Sequence, residues 1–319
     1  MVRTSDSRSS ADGSAAAPKI SVVIATHNRP ELLRKAIDAA LGQEYAGEIE
    51  CVIVFDRSEP DPGLETVPAA DGPRRSVKVT TNTRSPGLAG ARNSGISLSD
   101  GEFVAFCDDD DEWLPGKLNA QVALFEPGVV AAVSGIRIQY SDSTTDRVPE
   151  GSTLELNVLI RSRVMEAHPS SVVVRRHALI DQIGLVDEQI PGSFAEDYDW
   201  IIRAAKVGPI AIAPAPYVIV RWGQSLFSSN WPVIIEALDY LVDKHPEFRE
   251  SRSGYGRILG QRSFALAAVG RRREAARDIV RTLVRRPLEP RAYLAVAVAL
   301  RLANPERIKA WAHRRGRGI

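Results

Sequence analysis

Four consecutive carboxylates, Asp108 to Asp111, follow the apolar run Phe103 to Cys107 and lead into Glu112 and Trp113. Adjacent carboxylates repel one another, and a hard divalent cation is their natural counter-charge. Mg²⁺ or Mn²⁺ takes one or two carboxylates and completes its octahedron with water and phosphate oxygens, which suits a substrate carrying a diphosphate. The competing reading is an acidic helix N-terminus, where carboxylates complement the helix dipole. Two further polar clusters, Thr26 to Arg29 and Asp56, also follow short apolar runs.

Those clusters need elements to position them. Ile20 to Ala25, Glu50 to Phe55, Ser76 to Thr80 and Glu102 to Cys107 read as strands, rich in β-branched and apolar residues. Leu32 to Leu41 has helical spacing, and Gly87 to Leu98 reads as a helix opened by glycine. Alternating strands and helices predict an α/β fold with an open, mostly parallel sheet, whose ligands gather beyond the carboxyl ends of the strands. The polar clusters sit at those ends. After Gln139 the pattern loosens: Ser171 to Val174 reads as a strand, Asp197 to Lys206 as a helix, and Ile210 to Ala213 and Tyr217 to Arg221 as two short strands broken by prolines. From Trp231 onward the periodicity is helical throughout.

The chain has 319 residues, 44% hydrophobic and 25% charged, within the range of a globular protein. The first eighteen residues are rich in Ser, Ala, Asp and Gly and lack a signal-peptide core, so they read as a disordered tail. Cys51 and Cys107 lie inside apolar runs, which argues for buried thiols in a reducing compartment and against a disulfide or zinc site. The longest apolar stretch, Tyr293 to Leu300, falls short of the roughly 20 residues of a membrane span.

Several ordered segments together resemble family 2 glycosyltransferases with the GT-A fold. They are Val22 to Arg29, Ala39 to Gln43, Asn82 with Gly87, Ala91 to Ile96, Gly101 to Phe106 leading into the Asp cluster, Leu114 to Leu118, Gly184 to Glu188, and Ala195 to Trp200. The resemblance covers about Lys19 to Ser229. It implies a tail over residues 1–18, a GT-A domain over 19–230 and a basic helical region over 231–319.

The resemblance also implies roles. Asp56 would receive the nucleotide base, with Thr26 and Arg29 bordering that pocket. Asp108 and Asp110 would form the Asp-x-Asp pair that holds Mg²⁺ or Mn²⁺, with Asp109 beside them on the nucleotide sugar. Arg92 and Asn93 would help hold the donor, a UDP-, dTDP- or GDP-linked sugar. Asp197 would be the general base of an inverting displacement, receiving the acceptor proton while the metal stabilises the departing diphosphate. Glu196, Arg221, Gln224 and His168 are candidates for diphosphate or acceptor contacts. The acceptor would be a glycan, a lipid-linked glycan or a small molecule.

The chain departs from the family pattern where Phe55 precedes Asp56 and Arg57 follows it. It departs again at Arg221 to Ser225, which contain no histidine, so a third protein ligand for the metal is not evident. A nucleotidyltransferase would need glycines after the first strand, and Ala25 to Pro30 has none. A catalytically inert sugar-binding scaffold is the alternative from another class.

Net charge is +1, yet from Arg249 onward eighteen Lys or Arg face five Asp or Glu. This basic helical region admits three readings: a solvated face, a peripheral contact with anionic lipid, or a partner platform. Its basic clusters lack interleaved aromatics, which argues against nucleic acid. The expected location is the cytoplasm, with the inner face of the membrane as a peripheral site.

Overall fold

The structure is a computed structural model, and it describes residues 17–67, 72–140, 143–221 and 230–314. One nine-stranded sheet organises the first two thirds of the chain. Strands β1 (Ile20–Thr26), β2 (Ile49–Phe55), β3 (Arg75–Thr81) and β4 (Phe103–Asp108) pair in parallel, in the order β3-β2-β1-β4. Every residue of β2 is buried, and so is all of β1 except half-buried Ala25. Helices Pro30–Leu41 and Leu88–Leu98 follow β1 and β3. Continuous apolar runs of this kind belong to strands covered on both faces. Cys51 and Cys107 are buried on these strands.

The sheet continues through β5 (Glu112–Trp113), β6 (Ala131–Tyr140), β7 (Ser143–Arg147), β8 (Val173–Arg175) and β9 (Ile210–Arg221). β8 is antiparallel to both β4 and β6, whereas β9 runs parallel to β6, and β7 pairs β6 off the main path. The strand expected at Ser171 begins at Val173 and ends at Arg175.

Two features correct the sequence reading. Ile210–Arg221 is one strand and not two, because register shifts around Gly135 absorb Pro214 and Pro216. Gly135 is needed there, since a Cβ would lie 2.7 Å from the Arg147 carbonyl oxygen and 3.1 Å from that of Ala215. β6 was not foreseen: its first half, Ala131 to Gly135, is a run of small residues, though Ile136 to Tyr140 alternates apolar and polar side chains.

Helix Glu196–Val207 precedes β9, and helices Trp231–Lys244, Arg252–Ala268, Arg272–Arg285, Pro290–Ala299 and Pro305–Arg314 follow it. These C-terminal helices share a core with the sheet's helical layer: Ile201 and Ile202 belong to one buried cluster with Leu238, Leu241, Phe248 and Phe264. No helix among the described residues is long and apolar enough to cross a membrane.

Candidate active site

Ala25 pairs in register with Asp108 and Thr26 with Phe55, so the carboxyl ends of β1, β2 and β4 open on one cleft. Beyond β4 the chain turns tightly, with the Asp111 amide donating to the Asp108 carbonyl at 3.1 Å. The turn fans out the four carboxylates, and each finds different partners. Thr26 Oγ1 donates to Asp109 at 2.8 Å. Arg29 Nη1 donates to Asp109 at 3.1 Å and to Asp110 at 2.7 Å. Thr26 and Arg29 therefore turn toward the acidic cluster and not toward Asp56.

Asp111 is buried and accepts from Ser170 Oγ at 2.5 Å, while His168 Nδ1 stands 3.3 Å from the same oxygen. Ser170 Oγ accepts from the Asp108 amide at 2.9 Å, and the Trp113 indole donates to the Ser170 carbonyl at 3.0 Å. Burial raises the Asp109, Asp110 and Asp111 carboxyls above the ordinary range, and the neighbouring charges of Asp108 and Asp110 add to this at Asp111. Burial also lowers the His168 imidazole, against the pull of Asp108 and Asp197.

Asp108, Asp111 and His168 each offer a ligand atom within 4.8 Å of the others. Carboxylate oxygens at a strand end, joined by one imidazole, fit a hard divalent ion. The sequence pointed to Asp108 and Asp110 and to no third ligand; the fold brings His168 and Asp111 to Asp108 and leaves Asp110 paired with Arg29.

The opposite wall comes from the start of helix Glu196–Val207. Just before it the backbone takes φ of 59° at Gly192, 51° at Ser193 and 65° at Ala195. Side-chain-bearing residues rarely adopt that region, so the turn is strained where it aims the first helical residues into the cleft. Buried Arg92 spans the cleft, donating to Asp108 and to Glu196 at 2.6 Å each. Arg163 Nη2 donates to both oxygens of Asp197, at 3.0 and 2.8 Å.

The adjacent carboxyls separate in acidity. Burial pushes Glu196 up to about 7, opposed by Arg92 and reinforced by the Asp197 charge. Burial would raise Asp197 too, but Arg163, then Arg92 and His168, outweigh it and hold the carboxyl below its usual value. A small cavity of about 20 Å³, lined mostly by apolar side chains such as Phe106, Val172 and Trp200 together with Arg92 and Asp197, lies beside the pair.

Asp56 is buried and holds the entry to helix Leu88–Leu98. It accepts from Asn82 Nδ2 at 2.9 Å, from the Gly87 amide at 3.1 and 3.2 Å, and from Arg57 Nε at 3.0 Å. Burial opposes ionisation, yet these donors keep its carboxyl below the ordinary range. His27 Nδ1 contacts the Asp56 carbonyl at 2.7 Å, tying the β1 and β2 loops together.

Other expected residues have structural partners. The Asn93 amide donates to the Val186 carbonyl and to Glu188 and accepts from the Val186 amide, leaving it 1% exposed. Arg221 pairs with Glu112 across β9 and β5. Gln224 lies outside the described residues. Arg175 and Arg176 donate to backbone carbonyls of Phe125, Val129 and Ser99. Trp200 packs edge-on against Phe106 in the core. A wider depression lined by Arg84, Arg203, Lys244, Asp187 and Glu188 lies apart from the Asp cluster, and its charges pair with one another or with Asp199. Sequence reasoning missed Arg163 and Ser170. The polar run His168 to Ser171 before a strand was a signal for the second; Arg163 had none.

The sequence profile of glycosyl transferase family 2 matches residues 21–182. The uncharacterized glycosyltransferase YwdF of Bacillus subtilis (strain 168) is 26% identical over 235 residues, 71% of this chain and 84% of its own length. WfgD of Escherichia coli, a UDP-Glc:alpha-D-GlcNAc-diphosphoundecaprenol beta-1,3-glucosyltransferase, is 30% identical over 105 residues, 33% of this chain and 40% of its own. Staphylococcus aureus TarS 1-349 in complex with UDP-GlcNAc superposes with a TM-score of 0.59 at 16% identity, covering 94% of this chain and 92% of that one. The mannosyltransferase PcManGT of Pyrobaculum calidifontis, in complex with GDP-Man and Mn²⁺, superposes with a TM-score of 0.53 at 18% identity, covering 95% and 85%. Both likenesses are of fold, the GT-A arrangement.

Proposed function

Because the chain belongs to glycosyl transferase family 2, we propose that it moves a sugar from a nucleotide diphosphate donor to an acceptor hydroxyl with inversion at the anomeric carbon. The observation that carries this reading is the Arg92 bridge, 2.6 Å to Asp108 on one wall and 2.6 Å to Glu196 on the other. It sets the acidic cluster that suits a metal diphosphate opposite Glu196, whose neighbour Asp197 is the carboxylate that suits a base.

Asp197 is the base: its carboxyl stays ionised, ready to accept the acceptor proton. The acceptor oxygen bonds to the anomeric carbon as the bond to the diphosphate oxygen breaks, and the electron pair leaves with the diphosphate. Asp108 and Asp110, with Asp111 and His168 as further candidates, would hold Mg²⁺ or Mn²⁺, which when bound neutralises the charge of the leaving diphosphate. Asp109, Thr26 and Arg29 border the nucleotide sugar, Arg92 supports the donor, and Asp56 shapes the base pocket. Neighbours in complex with UDP-GlcNAc and with GDP-Man leave the base open. WfgD's diphosphoundecaprenol acceptor favours a lipid-linked glycan in cell-surface polysaccharide assembly, with the protein working from the cytoplasm at the membrane's inner face.

The test is binding and turnover of a panel of UDP-, dTDP- and GDP-sugars with and without Mn²⁺ or Mg²⁺. Asp110→Ala should lose metal-dependent donor binding, and Asp197→Asn should bind donor without turning it over. If no nucleotide sugar binds, or both variants behave as wild type, the inert-scaffold reading replaces this one.

A further inference from the structure

Exposed apolar side chains are unevenly distributed. Val280, Val284, Leu288, Tyr293, Leu300 and Leu302 are between 55% and 88% exposed, whereas before residue 270 the most exposed large apolar side chain among the described residues is Leu98, at 46%. Helix Arg272–Arg285 buries Ala275, Asp278, Ile279 and Thr282. It approaches helix Arg252–Ala268 closely enough that a Cβ on Gly260 would meet Thr282 at 3.3 Å. The opposite stripe carries Arg273, Arg277, Val280 and Val284, spaced i, i+4, i+7 and i+11, all exposed. Helix Pro290–Ala299 repeats the arrangement, burying Ala292, Ala295 and Val298 and presenting Tyr293 and Val296 outward, with Leu300 just past its end. The turn between them carries Leu288 at its tip and is pinned by Tyr293, whose hydroxyl donates to the Pro287 carbonyl at 2.6 Å.

We propose that this outer face, the Arg273–Val284 stripe with Leu288 and the Tyr293 face, docks on an anionic lipid bilayer. Isolated apolar side chains projecting from short helices enter the boundary between headgroups and acyl chains, while arginines on the same stripe meet lipid phosphates. The helices are too short and insufficiently apolar to span, so the face lies on the membrane. A second copy of the chain fits poorly, because a two-fold contact would set one arginine stripe against another. The inference extends the reading of a membrane-borne acceptor, but its test involves no sugar transfer.

The full chain is floated with vesicles of phosphatidylcholine alone and of phosphatidylcholine mixed with phosphatidylglycerol. The wild type should float with the anionic vesicles and lose binding as salt rises. Val280→Ser with Val284→Ser and Leu288→Ser should weaken that binding at least about tenfold, and Arg273→Glu with Arg277→Glu should abolish the preference for anionic lipid. Thermal unfolding of both variants should match the wild type, since the changed side chains are exposed. Wild type that stays off both vesicles, or an apolar variant that floats as well as wild type, overturns the proposal. So does a dimer, seen by sedimentation, that the apolar substitutions split without altering flotation. Nucleotide-sugar binding, measured on the same samples, reports separately on the transferase reading.

Discussion

Arg163 grips Asp197 from the side, its Nη2 lying 3.0 and 2.8 Å from the two carboxylate oxygens. The contact orients the carboxylate and holds its pKa below the ordinary range, at some cost in basicity. Orientation outweighs basicity here, because a misplaced base loses its line to the acceptor proton. Arg163→Met should therefore lower kcat by about tenfold to a hundredfold with donor affinity unchanged, and Arg163→Lys should recover part of it. Steady-state kinetics beside donor titration decide the matter. An unaltered kcat would leave Arg163 a bystander.

Arg29 competes for the carboxylate expected to hold metal. Its Nη1 lies 2.7 Å from Asp110 and 3.1 Å from Asp109. With the guanidinium gone, Asp110 becomes available to a cation. Arg29→Ala should then bind Mn²⁺ several-fold more tightly in the absence of donor, while its KM for nucleotide sugar rises. Electron paramagnetic resonance of free Mn²⁺ measures the first effect. Equal affinity in both proteins would mean that Arg29 moves aside without cost or that Asp110 is no ligand.

The parallel strands were legible because β1, β2 and β4 are apolar runs and β3 alternates valine with polar and β-branched residues, and because the polar clusters at the strand ends are contiguous in sequence. Helix Glu196–Val207 was legible for the same local reason. β6 was not read, since Ala131 to Gly135 has little strand preference until β8 and β9 flank it, although Ile136, Ile138 and Tyr140 alternate with polar residues as a strand does. Pro214 and Pro216 signalled a break that the bulge at Gly135 removes. In the site, the acidic residues could be read off the chain, but their partners could not. The Arg92–Glu196 contact joins residues 104 positions apart, and that from Ser170 to Asp111 joins residues 59 apart. Arg163 sits in an ordinary basic loop whose meaning appears only once Asp197 is folded against it.

Glu196 should shape the acid side of the pH profile. Its carboxyl is raised to about 7, so it is protonated below that value and ionised above it. Protonation removes one of the two anions that hold Arg92 between the walls. With kcat/KM reporting the free enzyme, activity should rise with pH through a value near 7. Glu196→Gln should flatten that limb and fix activity near the acid-side level. A wild-type profile level from pH 5.5 to 8, a range of roughly one unit or more either side of that midpoint, would refute the assignment.

The C-terminal helices brace the same catalytic helix from behind. Asp199, two residues beyond Asp197, is fully buried; its Oδ1 lies 2.8 Å from His245 Nε2 and 2.8 Å from Lys244 Nζ, and its Oδ2 lies 2.9 Å from Arg203 Nε. Burial opposes its charge, but the His245 hydrogen bond, then Arg203 and Lys244, hold its carboxyl well below the ordinary range. A depressed folded-state value means that this contribution is complete above the ordinary carboxylate range and is lost as pH falls below it. At the preceding residue, Arg257 donates to the Tyr198 hydroxyl at 2.7 Å. Because these groups join helices that share one core with the sheet's helical layer, the chain should unfold in a single thermal transition. His245→Ala removes one buried partner of Asp199 while leaving two cations, so it should cost about 1–3 kcal/mol. It should also lower kcat by loosening the helix that carries Asp197. Calorimetry and kinetics on the same variant test both halves; two resolved transitions in the wild type would mean that the helical region is an appendage and not a brace.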